Sequence, residues 1–123
     1  MAILPQKDEE YLREKGFEYE VQQTPTAIGL ILRNWSFPEQ YDRTSADVLI
    51  LIPPAYPLAQ IDMFYTYPTV KLKNGVSPVN ADQPLNFGDR TWQRWSRHHA
   101  WREGKDNIRS FITAMTLEIN KGI

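Results

Sequence analysis

The 123-residue chain contains no cysteine. This absence excludes disulfide bonds, cysteine-ligated zinc, a cysteine nucleophile and any thioester intermediate. Long hydrophobic runs are also missing, because no stretch approaches the roughly 20 apolar residues that span a membrane. The first ten residues, MAILPQKDEE, turn acidic before an apolar run long enough for a secretory signal. We therefore expect a cytoplasmic protein that does not bind membranes.

The charge balance lacks an excess of either sign. Lysine and arginine number 14 and aspartate and glutamate 15, which gives a formal net charge of −1. A general nucleic-acid binder carries a basic surplus, so nucleic acid is not an expected partner. The length and the 41% hydrophobic content suit one globular domain spanning residues 1–123.

The spacing of apolar residues predicts an α+β fold. A helix over residues 6–15 follows Pro5, carries acids early and bases late, and stops at Gly16. Alternating or continuous apolar residues then predict a four-stranded antiparallel meander. Its strands lie in FEYEVQ, TAIGLILRNW, SADVLILIP and IDMFYTYP, and the last two end at prolines.

The second half of the chain predicts a long loop and one more helix. Residues 69–90 contain prolines, glycines, asparagines and aspartates and are predicted to be an irregular active-site loop. Asp106 is predicted to cap the C-terminal helix. Five apolar residues at helical spacing predict its packing face: Ile108, Phe111, Ile112, Met115 and Ile119.

The segment WQRWSRHHAW, residues 92–101, holds both histidines and the serine Ser96. A serine hydroxyl needs a base within hydrogen-bond reach to act as a nucleophile. An extended backbone would bring His98 to the side of Ser96, whereas a helical turn would bring His99. The alternative is that Ser96 is an ordinary cap or turn residue. No Gly-x-Ser-x-Gly elbow surrounds it, so a small serine hydrolase has little support.

The same segment does not predict a metal site. His98 and His99 are adjacent, so their side chains diverge in regular structure, and Glu103 and Asp106 are the nearest further ligands. A protein metal site needs three or four converging ligands. We therefore expect neither a metal nor another cofactor.

The tryptophans divide by position. Trp101 precedes the last helix and is predicted to anchor it in the core. Trp92 and Trp95 alternate with arginines such as Arg94, a composition typical of protein interfaces. Arginines mixed with aromatics also bind single-stranded nucleic acid, but the net acidic chain favours a protein partner. Trp92, Trp95 and Arg94 are therefore predicted to contact a partner protein.

The order of these features resembles the ubiquitin-conjugating superfamily. That fold has an N-terminal helix, a four-stranded antiparallel meander, a tyrosine–proline turn after the third strand and a tryptophan before a packing helix. Here DVLILIPPAYP ends in Tyr56-Pro57, and Trp101 precedes DNIRSFITAMTLEI. The resemblance also makes Tyr56 a candidate partner-binding residue.

More narrowly, the chain resembles the divergent bacterial branch called family E of prokaryotic ubiquitin-conjugating-like proteins. The matching stretches are LPQKDEEYL, LIPPAYPLAQIDMFYTYP and WQRWSRHHAWREGKDNI. The resemblance implies two partners, an adenylating activating enzyme and a ubiquitin-like modifier. It implies that the protein accepts the C-terminal acyl group of the modifier and passes it to an acceptor amine.

Two departures from the superfamily bear on the mechanism. The chain has no cysteine for a thioester, and Tyr67-Pro68 stands where a His-Pro-Asn motif is expected. The resemblance therefore implies that Ser96 carries the acyl group as an oxyester. His98 or His99 would act as its base, and Arg97 or backbone N–H groups would stabilise the oxyanion. The alternative is a catalytically inactive adaptor that binds the same partners.

Overall fold

A computed structural model of the chain describes residues 4–25, 28–54, 56, 59–61, 63–96, 101–102 and 105–121. These residues form an N-terminal helix, a six-stranded antiparallel sheet and a C-terminal helix, which confirms the α+β class. The elements are α1 (Gln6–Glu14), β1 (Tyr19–Gln23), β2 (Ile28–Ser36), β3 (Ser45–Ile52), β4 (Phe64–Tyr67), β5 (Gln83–Phe87), β6 (Arg90–Trp95) and α2 (Ile108–Lys121). Neither described helix is long and apolar enough to cross a membrane.

The strand order is β1-β2-β3-β4-β6-β5. The first four strands form the predicted meander, but the predicted number of four strands is wrong. The hairpin of β5 and β6 falls in segments that were predicted as an irregular loop and as the start of the tryptophan cluster. Pro84 obscures β5, because proline interrupts a ladder, yet β5 is an edge strand, where proline is tolerated.

Both helices pack on one face of the sheet. The predicted stripe on α2 is confirmed, since all five of its residues are buried. Together with Leu12 of α1 they close over alternate residues of the strands. We call this the first cluster; it includes Leu12, Leu30, Leu32, Val48, Ile50, Phe64, Trp95, Ile108, Phe111, Ile112, Met115 and Ile119.

The opposite face of the sheet carries a smaller core. This second cluster consists of Ile31, Leu49, Tyr65, Phe87 and Trp92. Phe87, at the end of β5, lies across β2 against Gly29. A Cβ atom on Gly29 would come within 2.5 Å of the Phe87 ring, so this approach requires glycine. The tip of the β5–β6 hairpin therefore covers part of the second face.

A buried glutamine attaches the segment between β4 and β5 to β6. Gln93 Oε1 accepts hydrogen bonds from Thr66 Oγ1 and from Val70 N–H, each at 2.7 Å. Gln93 Nε2 donates to the carbonyl oxygens of Val70 at 2.9 Å and Ala81 at 2.7 Å. Trp95 Nε1 donates in turn to Thr66 Oγ1 at 2.9 Å. All four hydrogen-bonding positions of the amide are thus occupied.

Tyr56, between β3 and β4, joins the two helices. Its hydroxyl donates to Asp8 Oδ2 of α1 at 2.6 Å and accepts from Ile108 N–H of α2 at 2.8 Å. Burial and the hydrogen bond to Asp8 raise the pKa of Tyr56 well above its ordinary range, so the hydroxyl stays protonated. Burial also raises the pKa of Asp8, and the hydrogen bond from Tyr56 offsets part of that rise.

The prediction that Asp106 caps α2 is wrong by one residue. Asn107 Oδ1 accepts from Ser110 N–H at 3.0 Å, and Ser110 Oγ accepts from Asn107 N–H at 2.9 Å. This reciprocal pair occupies the positions of a capping box. The Asp106 carboxylate instead accepts from Arg102 N–H at 2.7 Å, in the turn that leads into the helix.

Replacement of Gln93 by methionine tests the buried amide. We expect Gln93→Met to lower the free energy of unfolding by about 3 kcal/mol, because each buried polar group left without a partner costs about 1–3 kcal/mol. Urea unfolding measures this change. Hydrogen exchange should accelerate at Val70, whose N–H loses its acceptor.

Gln83→Met is the matched control, since Gln83 lies exposed in the adjacent edge strand β5. It should change the free energy of unfolding by less than about 0.5 kcal/mol. Equal stability of the two variants would contradict the role assigned to Gln93.

The raised pKa of Asp8 predicts a pH dependence. A carboxyl whose pKa is raised by folding contributes stability below its ordinary pKa of 3.8, and that contribution is lost as the pH rises through the raised value. Asn in place of Asp8 keeps an acceptor for Tyr56 without the charge. The stability of Asp8→Asn relative to wild type should therefore increase from about pH 4 to pH 7 in urea unfolding. A difference that falls over this range would refute the assignment.

Candidate functional site

Ser96 is the first residue after β6. Its backbone N–H donates to the carbonyl oxygen of Asn80 at 2.9 Å, which holds it beside the segment that precedes β5. Asn80 adopts a left-handed conformation with φ of 52°. Asparagine tolerates this region better than most residues, and here it directs its carbonyl oxygen to Ser96. The backbone of Ser96 is thus fixed on two sides, by β6 and by Asn80.

The hydroxyl of Ser96 makes only a weak contact within the part of the chain that the structure describes. It donates to Met63 Sδ at 3.6 Å, and a thioether sulfur is a weak acceptor. Ser96 itself is half-buried. Met63 packs against the second cluster, so the hydroxyl lies on the face of the sheet away from the helices. Ser96 is therefore a positioned residue whose hydroxyl makes no strong hydrogen bond to another described residue.

The other predicted catalytic residues, Arg97, His98 and His99, lie outside the described residues. The choice between His98 and His99 as the base of Ser96 stays a prediction, and so does the assignment of Arg97 to the oxyanion. The chain resumes at Trp101, whose ring centroid lies 6.3 Å from that of Tyr56. Trp101 also packs against the first cluster, in line with the predicted anchor.

The prediction that Trp92 and Trp95 face a partner is contradicted by their burial. Trp92 is 1% exposed and Trp95 is 0% exposed. They lie three residues apart in a strand, so their side chains point to opposite faces. Trp92 belongs to the second cluster and Trp95 to the first. Because both faces of β6 are covered, neither ring reaches a partner surface.

Arg94 lies between these tryptophans and is half-buried. In the antiparallel register it pairs with Tyr65 of β4 and Gln83 of β5. Its Nε atom is buried and has no hydrogen-bond partner. Among the described residues, its guanidinium also forms no ion pair.

Two other arginines on this face are paired. Asp47 of β3 binds Arg33 at 2.8 Å and Arg90 at 3.0 Å, and Arg33 also pairs with Glu20. Burial alone would raise the pKa of Asp47, but hydrogen bonds from Asn34 N–H and from the two guanidinium groups outweigh it and lower that pKa. The carboxylate therefore stays ionised between its two cations.

Tyr56 was predicted to bind a partner, but its hydroxyl is engaged inside the fold. The contacts with Asp8 and Ile108 make it a link between the two helices.

Across the described residues, no group of three or more histidine, aspartate or glutamate side chains is arranged to hold a metal ion.

Three residues of the site were not predicted from the sequence: Met63, Asn80 and Gln93. The Asn-Ala-Asp stretch at residues 80–82 is a turn signal that could have identified Asn80. The place of Met63 could be found only from the strand register. Phe64 pairs with Trp95 in the antiparallel sheet, so Met63, one residue earlier, lies opposite Ser96. Gln93 carries no sequence signal, because buried and exposed glutamines look alike.

Comparison with known proteins supplies a family. Residues 4–121 match the family described as prokaryotic E2 family E. The comparisons with curated proteins and with solved structures gave no match. The family match covers nearly the whole chain, fits the helix–sheet–helix architecture broadly, and supports a general role in ubiquitin-like conjugation. The chain therefore belongs to prokaryotic E2 family E.

Proposed function

We propose that this protein accepts a ubiquitin-like modifier from an adenylating activating enzyme as an oxyester on Ser96 and transfers it to an acceptor amine. The observation that carries the proposal is the placement of Ser96. It is fixed at the end of β6 by Asn80, yet its hydroxyl has only a methionine sulfur as a described partner. Membership of the E2 family supplies the reaction class.

Loading is an acyl transfer to oxygen. Ser96 Oγ attacks the acyl carbon at the modifier C-terminus, and a C–O bond to Oγ forms as the bond to the leaving group on the activating enzyme breaks. The Oγ proton passes to a histidine, His98 or His99, and then to the leaving group. A hydroxyl ionises far less readily than a thiol, so the base is essential to this step.

In the discharge step Ser96 Oγ is the leaving group, whereas in loading it is the attacking atom. The acceptor amine attacks the same acyl carbon, a C–N bond forms, and the C–Oγ bond breaks. A proton of the amine passes through the histidine to Ser96 Oγ, which restores the hydroxyl. An oxyester is less activated than a thioester, so the site must stabilise the transition state more strongly than a cysteine site would.

An adaptor without chemistry is the alternative that the test must exclude. Its sequence-based form relied on a partner surface of Trp92, Trp95 and the neighbouring arginines, and both tryptophan rings are buried. An adaptor would bind the same partners but form no covalent adduct.

The linkage test mixes the protein with ATP, an adenylating activating enzyme and a ubiquitin-like protein. We expect an adduct that resists thiols and is cleaved by hydroxylamine or mild alkali, as an oxyester is. Ser96→Ala should abolish the adduct, and Ser96→Cys should convert it to a thiol-labile one. Gel shift and intact mass follow each reaction.

Ser77→Ala is the control, because Ser77 lies in the segment between β4 and β5 and has no assigned role. Its adduct should match that of the wild type. A thiol-resistant adduct that persists in Ser96→Ala would place the linkage elsewhere, and no adduct with any variant would favour the adaptor.

A further inference from the structure

Arg94 and Ser96 lie on the same face of the sheet. Side chains alternate along a strand, and Trp92 of β6 points into the second cluster, so Arg94 lies on that face too. The Ser96 hydroxyl contacts Met63, which packs against the same cluster. Residues two apart in a strand are roughly 7 Å apart, a separation that an arginine side chain spans.

The positive charge of Arg94 is uncommitted within the described residues. Arg33 and Arg90, on the same face, both bind Asp47, whereas no described carboxylate pairs with Arg94 and no described acceptor meets its buried Nε. A partly buried guanidinium that pairs with no described carboxylate keeps N–H donors available for a negative charge that arrives beside it.

Acylation of Ser96 creates a transient negative charge on the acyl oxygen, beside Ser96 Oγ. When Oγ bonds to the acyl carbon, the carbonyl electron pair moves onto the acyl oxygen and forms an oxyanion. The electron pair returns to the carbonyl when the leaving group departs. Donors that are already in place stabilise such a charge without reorganisation, and a guanidinium offers several N–H groups in a fixed plane.

We propose that the Arg94 guanidinium binds the oxyanion that forms on Ser96 during modifier loading and discharge. The inference rests on the proposed function, since it requires an acyl group on Ser96. Arg94 is then a catalytic residue of this chain in addition to the predicted Arg97.

The first test compares Arg94→Met and Arg94→Lys with wild type in single-turnover loading. Methionine keeps the apolar stem that packs on the sheet and removes the charge, whereas lysine keeps the charge without the planar fork. We expect Arg94→Met to lower the loading rate at saturating modifier by about 10²-fold, the usual effect of losing one oxyanion donor. Arg94→Lys should retain an intermediate rate.

The concentration dependence separates this role from others. Loss of an interaction with charge that develops only in the transition state lowers the saturating rate and leaves the half-saturating modifier concentration unchanged. A higher half-saturating concentration at an unchanged saturating rate would mean that Arg94 binds an anionic group of the modifier, which overturns the proposal. Arg94→Met that loads like wild type overturns it as well.

Two further arms exclude a merely structural role. Arg90→Met removes the same charge from the same face of β6, at an arginine paired with Asp47, and should leave the saturating rate unchanged. Millimolar guanidinium should partly restore loading of Arg94→Ala and should not affect wild type. Absence of any adduct on wild-type Ser96 refutes the proposed function itself, whereas a wild-type adduct with unaffected Arg94 variants refutes only this inference.

Discussion

The hydrogen bonds of the Gln93 side chain are the constraint on which the site depends. The segment between β4 and β5 contributes no regular ladder over residues 69–82, so its backbone groups need other partners. Gln93 supplies one acceptor and one donor to Val70 and a second donor to Ala81, beneath that segment. Asn80, one residue before Ala81, is thereby held where its carbonyl oxygen meets Ser96 N–H. Ser96, the proposed nucleophile, is thus positioned by a buried amide three residues before it in the chain.

The covered second face of the sheet explains why β6 carries such an unusual composition. A strand with one solvated face alternates apolar and polar residues, whereas β6 places Trp95 on the helix side and Trp92 on the other. The hairpin tip with Phe87 covers the second face next to Gly29, which leaves the polar residues of this face in a half-buried setting. On this face Arg90 forms an ion pair with Asp47, and Arg94 forms none with a described residue. The difference between these two arginines arises from their place along one strand.

The sequence predicted the elements whose signals are local and repeated. The α2 stripe from Ile108 to Ile119 and the first four strands depend on periodicity, which the fold preserves. Pro84 concealed β5, since a proline is compatible with a strand only at an edge, and an edge is a property of the whole sheet. The exposure of Trp92 and Trp95 was mispredicted for the same reason. Whether a strand is covered on both faces depends on residues far away in the chain, such as Ile31 and Leu49 on one face and Ile112 on the other.

The proposed oxyester on Ser96 places demands on the surrounding residues that a cysteine thioester would not. A thiolate can form with modest help, but a hydroxyl needs a base to accept its proton and donors to stabilise the oxyanion that follows. The residues proposed to supply the base and the donor lie on opposite sides of Ser96 in the chain. The histidines follow it, and the uncommitted Arg94 precedes it on the strand. A strand fixes the position of a proposed donor better than a loop can, and the register places Arg94 opposite Tyr65 of β4. In the proposed mechanism the end of β6, and not only the segment beyond it, is therefore part of the chemistry.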